Sequence, residues 1–112
     1  LRYFEDILQS IGHIRSFVAG LDADAYKADL KTKSAVERQL QIITEAAYRL
    51  GEEVSTLCPG PNWRGMRGMG NILRHAYDQV SDTYLWNVVK NDLPILEQSV
   101  EEAIKVLQNQ PE

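Results

Sequence analysis

Apolar residues return at steps of three and four along most of this chain, a period that builds helices and leaves no room for strands. Between residues 2 and 19, Phe4, Ile7, Leu8, Ile11, Ile14, Phe17 and Val18 fall into one stripe, as the buried face of an amphipathic helix requires. Gly20 ends that helix, and residues 21–28 read as a polar link with a short helical turn. A long second helix is expected over 29–57, where Ala35, Val36, Leu40, Ile43, Ala47 and Leu50 align and Ile42 and Ala46 widen the stripe. Pro59, Gly60 and Pro61 then force a stop. Asn62 can cap a third helix that runs to about Gln79.

Ser81 or Asp82 caps a fourth helix, which puts Leu85, Val89, Leu93, Leu96, Val100, Ala103, Ile104 and Leu107 on one side as far as Gln108. Pro94 should kink it, because proline removes one backbone hydrogen bond and crowds the carbonyl four residues back. The expectation is an all-α fold, an antiparallel four-helix bundle with short connections, in a single domain over residues 1–112.

Composition narrows the setting. Apolar residues make up 44% and charged residues 25% of the chain, which fits a globular protein and argues against disorder. No apolar run approaches the roughly 20 residues that span a bilayer, and no leader pattern stands at the start, so a cytoplasmic protein with no membrane partner is expected. The single cysteine, Cys58, cannot form an internal disulfide and reads as a semi-buried residue near a helix end. The formal charge is −4, yet residues 59–80 hold Arg64, Arg67 and Arg74 against Asp78 alone. A small cationic site on an acidic body suits a local phosphate contact better than a long nucleic-acid track. The only histidines, His13 and His75, lie far apart, no Cys-x-x-Cys occurs, and neither a phosphate-binding glycine loop nor a Gly-x-Ser-x-Gly elbow is present. No metal site and no cofactor are expected.

The third helix carries the unusual stretch WRGMRGMGNILRHAY, residues 63–77, with Gly65, Gly68 and Gly70 close together. Each glycine in a helix interior costs about 1 kcal/mol relative to alanine. Without side chains they let another backbone or a phosphate come close, which points to two copies of this helix meeting about a two-fold axis; the plainer alternative is an irregular loop before a shorter helix. Arg67, Asn71 and His75 are four apart and share one side of a helix. Histidine exchanges a proton near neutral pH, and arginine offers phosphate a planar fork of donors. Together they provide what metal-independent RNA cleavage needs: a base for the ribose 2′-hydroxyl and fixed positive charge where charge builds on phosphorus. Arg67 starts about 12 Å along the axis from His75, whereas Arg74 adjoins it, and either can supply that charge. The plainer alternatives are an interface histidine at His75 and a packed aromatic at Tyr77. His13 lies off its stripe and reads as a surface residue. Glu45, between Ile43 and Ala46, is expected to be partly buried in an ion pair with Arg67 or Arg38.

At these residues the chain resembles the HepT-like proteins of the HEPN superfamily, the toxin halves of MNT/HepT toxin–antitoxin pairs. Asn71, His75 and Tyr77 match the family motif in type and spacing, residues 34–50 are similar to its second helix, and residues 84–100 to its fourth, kink included. The motif arginine directly precedes the asparagine, and here that position is Gly70. The resemblance implies a homodimer whose motif helices face each other across an RNA-cleaving cleft. It also implies a small nucleotidyltransferase antitoxin that attaches AMP to the motif tyrosine, here Tyr77. Gly70 favours a second reading, a binding module with impaired catalysis that serves as substrate or partner of such a nucleotidyltransferase.

Overall fold

A computed structural model describes residues 1–75 and 80–109, and every regular element among them is helical. In chain order these are α1 (Arg2–Val18), α2 (Ala23–Ala28), α3 (Leu30–Leu50), α4 (Val54–Leu57), α5 (Trp63–His75), α6 (Asp82–Asn87), a π turn (Val88–Asp92) and α7 (Leu93–Gln108). The all-α expectation holds for this part of the chain.

The expected stripes make the core. Phe4, Ile7, Ile11, Ile14 and Val18 of α1 are buried against Val36, Leu40, Ile43 and Ala47 of α3, each large side chain contributing about 1.5–3 kcal/mol by leaving water. α5 packs along α3, and α7 closes over α1 with Leu93, Leu96, Val100 and Ala103 inward. Charged pairs join the rims: Arg15 of α1 meets Glu97 of α7, and Lys33 of α3 reaches Asp82 of α6 at 3.2 Å. Phe17, placed on the first stripe by its spacing, is instead exposed and stacks on His13, itself on the surface as expected.

Three boundaries differ from the expectation, each for a local reason. The link 21–28 contains a full short helix, because Asp22 accepts the Ala25 backbone N–H at 2.8 Å and Tyr26 is wholly buried. α3 starts under a similar cap, Asp29 accepting from the backbone and hydroxyl of Thr32 at 3.1 and 2.7 Å. It ends at Leu50 rather than near residue 57, because Gly51 adopts φ 76°, a left-handed turn that breaks the ladder. The expected fourth helix is continuous in direction of chain but changes pitch: the Leu93 N–H donates to the Val88 carbonyl five residues back, so the interruption before Pro94 takes the form of a wide turn. Ser81, rather than Asp82, caps its start by accepting from the Tyr84 N–H at 3.3 Å.

Tyr26 is the largest wholly buried side chain, its ring 5.1 Å from that of Trp86. Its hydroxyl has no hydrogen-bond partner among the described residues. Burial first, and then the charges of Glu37 and Asp82, push the phenol up to about 12. A desolvated, unpaired hydroxyl costs about 1–3 kcal/mol. Tyr26→Phe should therefore leave stability to urea unchanged or raise it by up to that amount, with an unchanged m-value; a clear loss of stability would show that the hydroxyl is paired.

Candidate functional site

The rotation of α5 about its axis is fixed by its first turn and by its buried side. At its start Asn62 accepts the Gly65 N–H at 2.9 Å on its side-chain oxygen, the cap expected from the sequence. The neighbouring Trp63 is 3% exposed and donates its indole N–H to the Cys58 carbonyl at 2.8 Å. Met69 and Leu73 continue the buried side. Cys58 is itself buried, which together with Glu102 pushes its thiol up and keeps it protonated, in keeping with a packing role.

The opposite side of α5 is open to solvent and presents Arg64, Gly68, Asn71, Ile72 and His75. Asn71 and His75 thus stand one turn apart on a free face. The two candidate arginines do not share that face. Arg74 is drawn sideways to Glu45 of α3, its Nη1 3.1 Å from Oε2, while Arg49 Nε lies 3.0 Å from the other carboxylate oxygen. Arg67 is half-buried and donates to the Gly51 carbonyl at 3.4 Å, placing a cation at the C-terminal end of α3. Glu45 is therefore ion-paired, as expected, but with Arg49 and Arg74 rather than Arg67 or Arg38. Its side chain is 45% exposed, so these pairs orient the guanidinium groups more than they stabilise the fold. Tyr77 and the stretch 76–79, to which the third helix was expected to extend, lie outside the described residues.

The three glycines have three different surroundings. A Cβ on Gly65 would sit 2.4 Å from the Asn62 side-chain nitrogen, in the space the cap occupies. A Cβ on Gly70 would meet Thr44 Cβ and Oγ1 of α3 at 2.6 Å. Both absences are thus used inside the subunit. Gly68 alone is exposed with nothing within 4 Å of such a Cβ. Thr44, which sequence reasoning missed, is 2% exposed and returns its hydroxyl to the Gln41 carbonyl at 3.1 Å; its place on the α3 stripe between Ile43 and Ala46 was the available signal.

Beside the polar face runs a groove of about 170 Å³ between α5 and the α6–α7 arm, lined by Met66, Met69, Val88 and Leu93 and by two exposed apolar side chains, Tyr84 and Ile95. Among the described residues no three His, Cys, Asp or Glu side chains gather in a way that could hold a metal ion, and no helix is long and apolar enough to cross a membrane.

Comparison with known proteins finds relatives over most of the chain. The family model described as Ribonuclease HepT-like matches residues 7–103. A protein of Thermococcus cleftensis named "Probable ribonuclease HepT" is 37% identical over 103 residues, covering 92% of this chain and 94% of that protein. A Methanocaldococcus jannaschii protein named "Putative RNase MJ0127" is 31% identical over 110 residues, covering 98% of this chain and 91% of its own length. No solved structure is a significant match.

The glycine surroundings give opposite expectations for one substitution. Gly70→Ala should destabilise by about 1–3 kcal/mol through overpacking, and the penalty should shrink in a Thr44→Gly background, as a double-mutant cycle would register. Gly68→Ala should stabilise the single subunit by about 1 kcal/mol, since only helix propensity changes there. Equal effects at the two positions in chemical denaturation would contradict the packing described.

Proposed function

The chain belongs to the HepT-like ribonuclease family, and on that premise we propose that it is a metal-independent endoribonuclease, the toxin component of a toxin–antitoxin pair, acting in the cytoplasm. The single observation that carries this reading is the open face of α5, where Asn71 and His75 stand exposed one turn apart. His75 takes the proton of the ribose 2′-hydroxyl, and Asn71 orients the sugar and phosphate. The attacking oxygen closes on phosphorus, the bond to the 5′-oxygen breaks as that oxygen takes a proton from the imidazolium or from water, and a guanidinium from Arg67 or Arg74 stabilises the charge on the non-bridging oxygens. Since both arginines are turned toward α3 within the subunit, the charge at each His75 comes from a partner's helix or from Arg74 swinging off Glu45 when phosphate arrives.

This chemistry is assigned to a homodimer of antiparallel four-helix bundles. Exposed Gly68 supplies the point of closest approach, and the adjoining groove with Tyr84 and Ile95 supplies the apolar area. Gly65 and Gly70 take part by keeping α5 close to its own subunit. The expected outcome is cleavage of single-stranded RNA in EDTA, lost by about a hundredfold or more in His75→Ala; equal rates for the two proteins would remove His75 from the chemistry. Gly68→Leu should leave the helical content intact while dissociating the dimer in sedimentation and lowering cleavage in step, and an unchanged dimer would move the contact elsewhere.

One observation favours a second reading. Gly70 holds the place of the motif arginine and is closed off by Thr44, so the guanidinium expected there has neither a side chain nor space. In this reading the protein is a binding module whose Tyr77 accepts AMP from a nucleotidyltransferase partner, and the bulky anion, two residues after His75 in sequence, repels RNA. A folded dimer that cuts no RNA, yet carries an adenylyl group by mass spectrometry after co-expression with such an enzyme, decides for it.

A further inference from the structure

A hollow of about 310 Å³ opens between the start of α1 and the middle of α3, away from the groove described above. Arg2, Arg38 and Arg49 line it together with Tyr3 and Gln41. A second hollow of about 220 Å³ lies between α3 and the end of α5; it has Leu73 at its base and shares Arg38 and Gln41 with the first. The two share that pair of side chains as a common wall, and Arg74, next to His75, bonds Glu45, which lines the first. On α3 the positions Ser34, Arg38, Gln41, Glu45 and Arg49 follow one another at steps of three and four, so they form a ridge opposite the buried stripe.

The charges here are not a self-neutralising set. Arg2, Arg38, Arg49 and Arg74 face the carboxylates of Asp6, Glu37 and Glu45, a cationic excess in a chain whose net charge is −4. Glu45 is taken up by Arg49 and Arg74. Arg2 and Arg38 have no ion-pair partner among the described residues: Arg2 lies over the Tyr3 ring at 5.5 Å, and Arg38 makes only a 3.5 Å contact to Gln41. Guanidinium donors not bonded to a carboxylate, beside an aromatic ring and a primary amide, are the groups that hold phosphate, stack a base and pair with a base edge.

We propose that single-stranded RNA leaving His75 crosses α3 at Arg38 and lies in the α1–α3 hollow, its phosphates held by Arg38 and Arg2 and a base stacked on Tyr3. The track rests on the ribonuclease reading and deepens it: it is a substrate-binding surface outside the reacting centre. Phosphate drawn in by Arg38 also competes with Glu45 for Arg74, which couples occupation of the track to release of the guanidinium next to His75.

The test uses the intact protein and a fluorescent RNA oligonucleotide of about a dozen residues, methylated at every 2′-hydroxyl so that it binds without being cut. The Arg2→Ala/Arg38→Ala variant should bind about tenfold more weakly, and the slope of log affinity against log salt should flatten by about 1 to 1.5, the loss of two phosphate contacts on a single strand. Arg2→Lys/Arg38→Lys should keep the slope, which separates charge from misfolding. With cleavable RNA the alanine variant should raise KM far more on the long substrate than on a dinucleotide, because a dinucleotide fills only the centre at His75. Unchanged affinity and slope in an alanine variant, with the parent protein still binding and cutting RNA, would overturn the track and spare the ribonuclease reading. A parent protein that neither binds nor cuts RNA would overturn both.

Discussion

The bare backbone of Gly70 against Thr44 sets how near α5 comes to α3 and how it is turned. A Cβ at that position would lie within 2.6 Å of the threonine side chain, well inside any tolerable contact, so the approach is available to glycine alone. Trp63 fixes the start of the same helix through its bond to the Cys58 carbonyl. With its start and its middle held, Met69 and Leu73 are committed to the core, and Asn71 and His75 are committed to solvent. The chemistry-bearing face follows from packing on its reverse side.

α3 is the common support. Its apolar stripe receives α1 and α5, its last carbonyls receive Arg67, and its outer ridge provides the carboxylate that holds Arg74 and Arg49. The arginines beside the motif therefore have defined resting places, both facing away from the histidine. A guanidinium held by an exposed carboxylate is bound weakly enough to exchange for phosphate. Such an arrangement stores positive charge near the reacting centre without requiring it to be buried when the site is empty.

Much of this was legible in the sequence because helical periodicity is a strong signal. The stripes of α1, α3 and α7 were readable nearly residue by residue, and Asn62 announced the start of α5 as a short polar residue after a Pro-Gly-Pro turn. The misplaced end of α3 came from Gly51, since one glycine at a left-handed turn looks the same in sequence as one tolerated inside a helix. Of the candidate site, the shared face of Asn71 and His75 could be read from a spacing of four. The partners of Arg67, Arg74 and Glu45 could not, because long side chains choose among several targets at similar cost and the choice depends on interhelical geometry. The glycines illustrate the same limit: sequence showed that something comes close, while only the fold distinguishes a cap at Gly65, a threonine at Gly70 and open solvent at Gly68.

The wide turn at Val88–Asp92 keeps one side of a long rod aimed at the interior. Leu85, Val89 and Leu93 are spaced by four, and in an ideal helix each such step drifts by about 40° around the axis. A turn holding an extra residue winds back that drift, so that Leu96 and Val100 resume the inward line. The same slack leaves Pro94 at the head of a fresh helical segment, where a missing N–H is harmless. The segment behaves as a seam, where one surplus amino acid is taken up without turning the rest of the rod out of step.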